Sequence, residues 1–315
     1  MELRELGHTG LRVSRLCFGT LTLGPLQADL TVEEGGGLLA YAIARGVNFC
    51  DTAQLYKTYP YIREGMRRSG RYDLIISTKT YAYTRQLAVE AVEEARRALD
   101  RDYIDVFLLH EQESVYTLEG HKEALDYLYE CKAKGVIRAV GLSTHAIAGV
   151  RGAVEKGLDL VFPMMNVDGL GLIDGSRPQM EAAARDAHDA GLGVFAMKAL
   201  GGGNLHRRAP ECFDYILGLP YVDSVAVGMQ STDEVDLNLS FFLGQRTDPA
   251  LRDRVAAKPR RLLIEDWCER CGACVKRCGQ GALSMGESRA VCDHSKCVLC
   301  GYCSTVCPQW CIKVV

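Results

Sequence analysis

Short apolar runs alternate with longer segments of helical periodicity from the start of the chain to about residue 230. This alternation is typical of βα units around a parallel sheet. Two of the intervening helices, predicted over Arg85–Leu99 and His121–Lys134, carry apolar residues at three- and four-residue steps. Eight strands are predicted, over Leu16–Gly19, Val47–Asp51, Leu74–Thr78, Ile104–His110, Ile137–Leu142, Leu160–Met164, Gly193–Met197 and Ser224–Val227.

Eight units of similar length favour an α/β fold of the closed (β/α)8 TIM-barrel type. A doubly wound sheet is the alternative, and it is disfavoured because no G-x-G-x-x-G follows the first strand. The opening residues MELRELGHTGLRVSRL predict a hairpin that closes the bottom of the barrel. The run Gly35–Gly37 lowers helix propensity inside the first predicted helix, and the sequence gives no reason for it.

Cysteine usage divides the chain into two parts. Of fourteen cysteines, ten lie between Cys268 and the C-terminus, and the other four (Cys17, Cys50, Cys131, Cys212) are expected to be ordinary thiols. Residues Gln245–Arg261 are polar and carry two prolines, which is typical of a connecting segment with one short helix. We therefore predict a barrel over 1–245, a linker over 246–259 and a cysteine-rich domain over 260–315.

Composition and charge exclude several functions. The chain has 48% hydrophobic and 24% charged residues and a net charge of −3, with basic and acidic residues interspersed, so no basic stripe for nucleic acid is present. No apolar run reaches the roughly 18 residues of a membrane span. The N-terminus is charged where a signal peptide needs an apolar core. The expected location is the cytoplasm.

The cysteine-rich segment contains one spacing twice. Cys268, Cys271, Cys274 and Cys278 follow C-x2-C-x2-C-x3-C, and Cys297, Cys300, Cys303 and Cys307 repeat it before Pro308. Three thiolates with two residues between neighbours suit the corners of an iron–sulfur cubane. A zinc ribbon uses paired C-x2-C knuckles without a third cysteine, and disulfides are disfavoured in a cytosolic protein.

This segment resembles the two-cluster bacterial ferredoxin domain, a small α+β fold. The resemblance assigns Cys268, Cys271, Cys274 and Cys307 to one [4Fe-4S] cluster and Cys278, Cys297, Cys300 and Cys303 to the second. Cys292 and Cys311 are then expected to be surplus thiols. The apolar runs Leu262–Ile264 and Ile312–Val315 are expected to pair as strands.

Polar side chains follow several predicted barrel strands, where active-site residues of such barrels lie. Asp51 ends the second strand and Tyr56 follows it, Lys79 ends the third and His110 the fourth. A phenol has an ordinary pKa near 10 and is a poor acid at neutral pH unless a cation lies against it. A lysine paired with an aspartate supplies that cation, so the four residues together predict a catalytic site.

Residues 1 to about 245 resemble an aldo-keto reductase, through LGHTGLRVSRLCFGT, GVNFCDTAQLY, ISTK, DYIDVFLLH and VIRAVGLSTH. The resemblance implies Tyr56 as the proton donor, Lys79 and Asp51 lowering its pKa, and His110 orienting the carbonyl. It also implies NADPH or NADH at the barrel mouth, in contact with Ser143, Thr144, Asn166 and the loop after strand seven with Lys198. Backbone N–H groups of Gly228–Ser231 are expected at a phosphate.

Two departures from the family pattern bear on the cofactor. Phe162 stands where a glutamine usually holds the nicotinamide carboxamide, and the segment VGMQSTDEVDLN (227–238) has no basic residue for a 2′-phosphate. This predicts a cofactor preference that is weak or towards NADH, with Arg207 or Arg208 as substitute cations.

The combination resembles ferredoxin-tailed aldo-keto reductases, which implies an enzyme that interconverts a small-molecule carbonyl and an alcohol. The alternative is an electron-transfer or docking protein in which the tetrad is idle, and a third interpretation makes the clusters structural. A hydride carries two electrons and each cluster accepts one, so electron-carrying clusters require a ferredoxin or flavoprotein partner or a further cofactor. A tail that covers part of the barrel mouth is also compatible with the sequence.

Overall fold

Eight parallel strands form a closed barrel in the computed structural model, which describes residues 1–315. The strands are β1 Leu3–Glu5, β2 Arg12–Ser14, β3 Leu16–Gly19, β4 Phe49–Asp51, β5 Ile75–Thr80, β6 Ile104–Leu109, β7 Ile137–Thr144, β8 Leu160–Pro163, β9 Gly193–Met197, β10 Ser224–Gly228, β11 Leu262–Ile264, β12 Leu283–Met285, β13 Ala290–Cys292 and β14 Ile312–Val314. The helices are α1 Val32–Ala44, α2 Tyr59–Ser69, α3 Arg85–Leu99, α4 Val115–Gly120, α5 Lys122–Ala133, α6 Ile147–Glu155, α7 Arg177–Asp189, α8 Ala209–Leu217, α9 Thr232–Phe242, α10 Pro249–Ala257 and α11 Ala273–Arg277.

The barrel runs from β3 to β10 in chain order, and β10 closes the ring by pairing in parallel with β3. The predicted (β/α)8 barrel is therefore confirmed, and the doubly wound alternative is wrong. Individual ends shift by one or two residues. For example, β7 continues to Thr144 because Ser143 and Thr144 pair with Phe162 and Pro163 of β8.

A hairpin closes the bottom of the barrel, as predicted. β1 and β2 pair antiparallel, and Leu6, Leu11 and Val13 are buried in the barrel interior with Phe49 and Phe195. Their burial removes apolar surface from water at the open end of the strands, so the hairpin acts as a plug.

The glycine run in α1 is explained by the helix that packs against it. A Cβ on Gly35 would lie 2.4 Å from the Tyr61 ring, and one on Gly36 would lie 2.5 Å from Cγ of Glu64. Both neighbours belong to α2. The run lowers helix propensity but allows the two helices to approach more closely than side chains would permit.

The cysteine-rich tail is built on two short antiparallel pairs, β11 with β14 and β12 with β13. The pairing of the apolar runs at its two ends is as predicted, and α10 is the one short helix of the linker. The tail packs on the loop after β9, where the N–H of Val314 donates to the carbonyl of Gly202 at 3.0 Å. A Cβ on Gly203, whose φ is +82°, would lie 2.0 Å from the Val314 carbonyl oxygen. None of the helices combines the length and apolar character required to cross a membrane.

Candidate functional site

Three neighbouring strands bring the predicted tetrad together at the mouth of the barrel. Asp51 is the last residue of β4, Lys79 lies in β5 and His110 directly follows β6. Nζ of Lys79 donates to the two carboxylate oxygens of Asp51 at 2.7 and 2.6 Å and to the carbonyl of Thr52 at 2.6 Å. Both side chains of this ion pair are buried, and the three bonds hold the ammonium in one position.

Tyr56 and His110 face each other beside this ion pair. Tyr56 ends a 3-10 turn after β4, and its ring centroid lies 5.8 Å from that of His110 at an interplanar angle of 76°. Nζ of Lys79 lies 5.0 Å from the Tyr56 ring centroid. A carbonyl oxygen placed between the phenol and the imidazole would thus meet two potential hydrogen-bond donors.

The electrostatics differ from the expectation for Tyr56. Burial, followed by the charge of Asp51, raises the pKa of Tyr56 well above its ordinary value, whereas the resemblance implies a lowered pKa. The main physical reason is that burial disfavours the charged phenolate, and the Asp51 charge offsets part of the attraction that the Lys79 ammonium exerts on it. Burial, helped by Lys79, lowers the pKa of His110 well below its ordinary value. At neutral pH the phenol is therefore protonated and the imidazole neutral.

Two residues of this site were missed in the sequence. Tyr81 stacks on His110 with ring centroids 4.3 Å apart, and its hydroxyl donates to Glu111 at 2.6 Å. Tyr81 lies two residues after Lys79 and Glu111 one residue after His110. This nearness to tetrad residues is the sequence signal that could have identified them. Tyr59, a second phenol near Tyr56, instead shares a 2.8 Å hydrogen bond with Thr78.

The side chains expected at the nicotinamide already have backbone partners. The Ser143 hydroxyl accepts from the N–H of Glu111 at 3.0 Å, and Thr144 accepts from that of Ala146 at 2.9 Å. The amide of Asn166 bonds the backbone of Leu170 in both directions. Of the three, only Ser143 keeps a hydroxyl proton without a partner. Phe162 stacks on Phe195 at 3.9 Å, so it belongs to the barrel core.

Two basic residues that the sequence did not indicate, Lys258 and Arg260, lie near the end of β10. Ser231 caps α9 by accepting from the N–H of Glu234 at 3.2 Å, and Gly228 ends β10. Nζ of Lys258 donates to Oε1 of Gln230 at 2.8 Å and to Glu234 at 3.0 Å. Arg260 lies 3.7 Å from the same Glu234 carboxylate. The segment 227–238 therefore has basic neighbours, although they come from the linker and the start of the tail.

The proposed substitute cations lie elsewhere. Arg208 pairs with Asp168 and Glu211, both at 2.6 Å. Arg207 donates to the carbonyl of Val298 in the tail at 3.3 Å. Neither residue bonds the loop after β10.

The tail contributes directly to the barrel mouth. Trp310 is 5% exposed and lies in the same apolar cluster as Met164 and Met197 of the barrel. Nζ of Lys198 lies 4.6 Å from the indole and 2.8 Å from Nε2 of His145. Burial lowers the pKa of Lys198 to about 8.

The tail cysteines form two groups. One cavity is lined by Cys268, Cys271, Cys274, Cys307 and Cys311. Sγ of Cys311 lies 3.4 Å from that of Cys307. The second group includes Cys292, Cys297, Cys300 and Cys303. Burial is the main cause that raises the pKa of Cys292 to about 12, with Cys297 as the next cause. Burial likewise raises the pKa of Cys303 to about 12, with Cys300 as the next cause. No three His, Cys, Asp or Glu side chains converge closely enough to hold a single metal ion.

Comparison with known proteins agrees with the barrel. The sequence model of the Aldo/keto reductase family matches residues 15–214. The Arabidopsis thaliana protein named "Probable voltage-gated potassium channel subunit beta" is 31% identical over 182 residues, which cover 52% of this chain and 54% of that protein. L-galactose dehydrogenase of the same plant is 23% identical over 282 residues, covering 76% of this chain and 88% of that protein. The chain thus spans about half the length of the channel-subunit relative.

A solved structure shows the same fold. An aldo-keto reductase from Bacillus halodurans in its holo form superposes with a TM-score of 0.63 at 20% identity, over 81% of this chain and 95% of that one. Since the family match covers well over half of its residues, this chain belongs to the aldo/keto reductase family.

Proposed function

We propose that the barrel interconverts a small-molecule carbonyl and an alcohol by hydride exchange with NADPH or NADH. The observation that carries this proposal is the buried Lys79–Asp51 pair with Tyr56 and His110 beside it. A positioned phenol and a neutral imidazole suit proton donation to, and orientation of, a carbonyl oxygen. The name of the plant relative, L-galactose dehydrogenase, states a dehydrogenase activity for that protein.

Each tetrad residue has a separate role in this proposal. Tyr56 holds the proton that passes to the substrate oxygen, and His110 hydrogen-bonds that oxygen. Lys79, fixed by Asp51, lies 5.0 Å from the Tyr56 ring and stabilises the phenolate left after proton transfer. The bound nicotinamide supplies the hydride.

The chain retains groups that fit the cofactor. The free proton of Ser143 suits the carboxamide, whereas Thr144 and Asn166 would have to give up their backbone partners to reach it. At the far end Gly228 and Ser231 lie at the N-terminus of α9, with Lys258 beside them. Nδ1 of His110 is buried without a partner, which is consistent with a polar group that binds there.

The tail, in this proposal, is a two-cluster ferredoxin-like domain over 260–315, joined to a barrel over 1–245 by a linker over 246–259. Support comes from the cavity in which Cys307 of the second run joins Cys268, Cys271 and Cys274 of the first, the combination that the ferredoxin spacing implies. Cys278, Cys297, Cys300 and Cys303 would hold the second cluster. A cubane spreads its thiolates over four corners, farther apart than the ligands of one ion. Such clusters supply one-electron transfer, with an external ferredoxin or flavoprotein as partner.

One observation favours the second candidate, a docking or electron-transfer protein with an idle tetrad. Trp310 of the tail packs into the apolar cluster at the barrel mouth, so the tail occupies part of the region where a substrate would bind. The channel-subunit relative is, by its name, part of a larger assembly.

Turnover separates the two candidates. Anaerobically purified protein, assayed with a panel of aldehydes and ketones and with both cofactors, should oxidise NAD(P)H in step with alcohol formation. Tyr56→Phe should lower the rate about 100-fold or more, because a positioned general acid is lost. Tyr72→Phe, which alters an exposed phenol, is the matched control. Absence of turnover in the wild-type protein would favour the docking candidate.

Metal analysis tests the tail. Two cubanes correspond to about eight irons and eight acid-labile sulfides per chain. Cys271→Ser should reduce cluster absorbance, whereas Cys131→Ser, in a barrel helix, should leave it unchanged. Zinc in place of iron in anaerobically prepared protein would overturn the assignment.

A further inference from the structure

Two lysines lie over the indole of Trp310 at the junction of tail and barrel. Lys198 follows β9 of the barrel, and Lys313 lies in β14 of the tail. Their Nζ atoms are 4.6 and 3.1 Å from the ring centroid of Trp310. Trp310 itself is buried among barrel side chains that include Phe162 and Met164. Both ammonium groups are therefore held at the barrel mouth, each by a different part of the chain.

Neither ammonium group has a carboxylate partner within 4.0 Å. Lys313 is 8% exposed and donates to the Trp310 carbonyl oxygen. The polar neighbour of Lys198 is Nε2 of His145. By contrast, the buried Lys79 has both oxygens of Asp51 within 2.7 Å. Lys313 is buried and Lys198 half-buried. Because cations withdrawn from water in proteins are normally paired, two that lack a carboxylate at one junction point to an anion from outside the chain.

The nearby carboxylates do not fill this role. Oε1 of Glu111 lies 3.8 Å from Nε2 of His145, and its side chain is 44% exposed. Glu265, in the tail, acts on Lys198 and Lys313 through its charge but contacts neither within ion-pair distance. The junction thus combines His145 and two lysines with two more distant acidic groups.

An unpartnered donor at the junction is an independent observation. Nε1 of Trp310 is fully buried and has no hydrogen-bond partner. A buried indole N–H usually finds an acceptor. The backbone of Trp310 has a φ of +46°, a conformation that is uncommon for a residue other than glycine and is maintained only where the surrounding structure imposes it.

We propose that Lys198 and Lys313, together with the indole N–H of Trp310, bind an anionic oxygen group of the carboxylate or phosphate kind. The proposal rests on the proposed function, since the anion belongs to a molecule that sits in the barrel mouth with Tyr56 and His110. It makes the tail part of the binding site and favours carbonyl substrates that carry a negative charge. The same chemistry is present in the diphosphate of a nicotinamide cofactor, and the experiment below separates the two sources.

Calorimetry on the full-length, cluster-containing protein measures binding without turnover. The probes are 4-carboxybenzaldehyde and its neutral methyl ester, each titrated anaerobically with and without saturating NADP+, which has no hydride to donate. NADPH and NADH are titrated alone. If the anion is the substrate's, the acid should bind at least about 10-fold more tightly than the ester, and Lys198→Gln should remove this difference without changing cofactor binding. If the anion is the cofactor's, Lys198→Gln should instead weaken both cofactors and leave the acid-to-ester ratio near one.

Two further lysine variants serve as controls. Lys134→Gln removes an exposed lysine of the barrel and should change neither measurement. Lys313→Gln should reproduce Lys198→Gln. If it also loses cluster absorbance the tail has unfolded, and Lys198→Gln, on the barrel, then decides alone. Unchanged binding of acid, ester and cofactors in Lys198→Gln would overturn the proposal. A protein that binds the acid selectively but reduces no carbonyl would retain the anion site and contradict only the proposed function.

Discussion

Replacing Lys79 by methionine tests the buried ion pair most sharply, because it removes one charge and leaves the other. The side chains of Lys79 and Asp51 are 1% and 7% exposed. Removing one partner of such a pair costs about 3–5 kcal/mol, mainly because the remaining charge is buried without a partner. The Thr52 carbonyl also loses its donor. Lys79→Met should therefore lower the free energy of unfolding by about 3–5 kcal/mol.

The double variant Lys79→Met/Asp51→Leu separates stability from activity. With both charges gone, most of the lost free energy of unfolding should return, since apolar replacement of a buried pair is often nearly neutral. Activity should not return, because nothing then stabilises the Tyr56 phenolate. Lys122→Met, which breaks an exposed pair with Asp126, is the control and should cost at most about 1 kcal/mol.

The pH dependence of Lys79→Met has a definite sign. Burial is the main cause that raises the pKa of Asp51, and Lys79 is the main group that opposes it. In the variant the folded protein therefore holds the Asp51 proton more tightly than the unfolded chain does. The stability deficit should be largest at neutral pH and shrink as the pH falls towards about 4, the ordinary pKa of aspartate. Chemical denaturation at several pH values measures this, and a deficit below about 1 kcal/mol at neutral pH would refute the reasoning.

Three further predictions concern the cofactor, the clusters and the tail. Lys258→Gln should weaken NADPH binding more than NADH binding, because Lys258 lies beside Gln230, where the 2′-phosphate of NADPH is expected. Fluorescence titrations measure both affinities, with Lys134→Gln as the control. Equal effects on the two cofactors would show that Lys258 does not bind the 2′-phosphate. NADPH or NADH alone should not bleach the absorbance of the proposed clusters on the timescale of turnover, since a hydride carries two electrons and each cluster accepts one. Prompt bleaching of flavin-free protein in a stopped-flow experiment would instead show direct transfer from the nicotinamide. Gly203→Ala should loosen the tail and speed its proteolysis, because the new Cβ would meet the Val314 carbonyl. Gly135→Ala is the control, since Gly135 also has a positive φ but has open space around it. Equal proteolysis of the two variants would contradict the contact between the tail and the loop after β9.

The sequence predicts the barrel well because each βα unit is a local pattern. The eight strands, the bottom hairpin and the linker helix all follow from apolar periodicity and turn residues. The sequence also predicts that Asp51, Tyr56, Lys79 and His110 lie together. They occur in family motifs at or just after strand ends, and the C-terminal ends of parallel strands lie on the same side of the barrel. The pKa direction of Tyr56 does not follow, because it depends on burial and on how fully Asp51 neutralises Lys79.

The sequence does not reveal which individual side chains meet across the junction of barrel, linker and tail. Lys258 and Trp310 lie far along the chain from the barrel loops they reach, and no periodicity links them. The glycines of α1 and of the loop after β9 are similar: their purpose appears only when α2 and β14 are seen packed against them. Their spacing shows where side chains are absent, but not which neighbour requires the space.

Transfer of deuterium from C4 of a labelled nicotinamide to the carbonyl carbon is the decisive test of hydride transfer in the barrel. Anaerobic wild-type protein, given NADPH or NADH with deuterium at both C4 positions and a reducible aldehyde, should produce an alcohol with one deuterium on the carbinol carbon. Tyr56→Phe should form the same labelled product about 100-fold more slowly or worse. An alcohol that forms without deuterium, or at an unchanged rate in Tyr56→Phe, would contradict hydride transfer with Tyr56 as the proton donor.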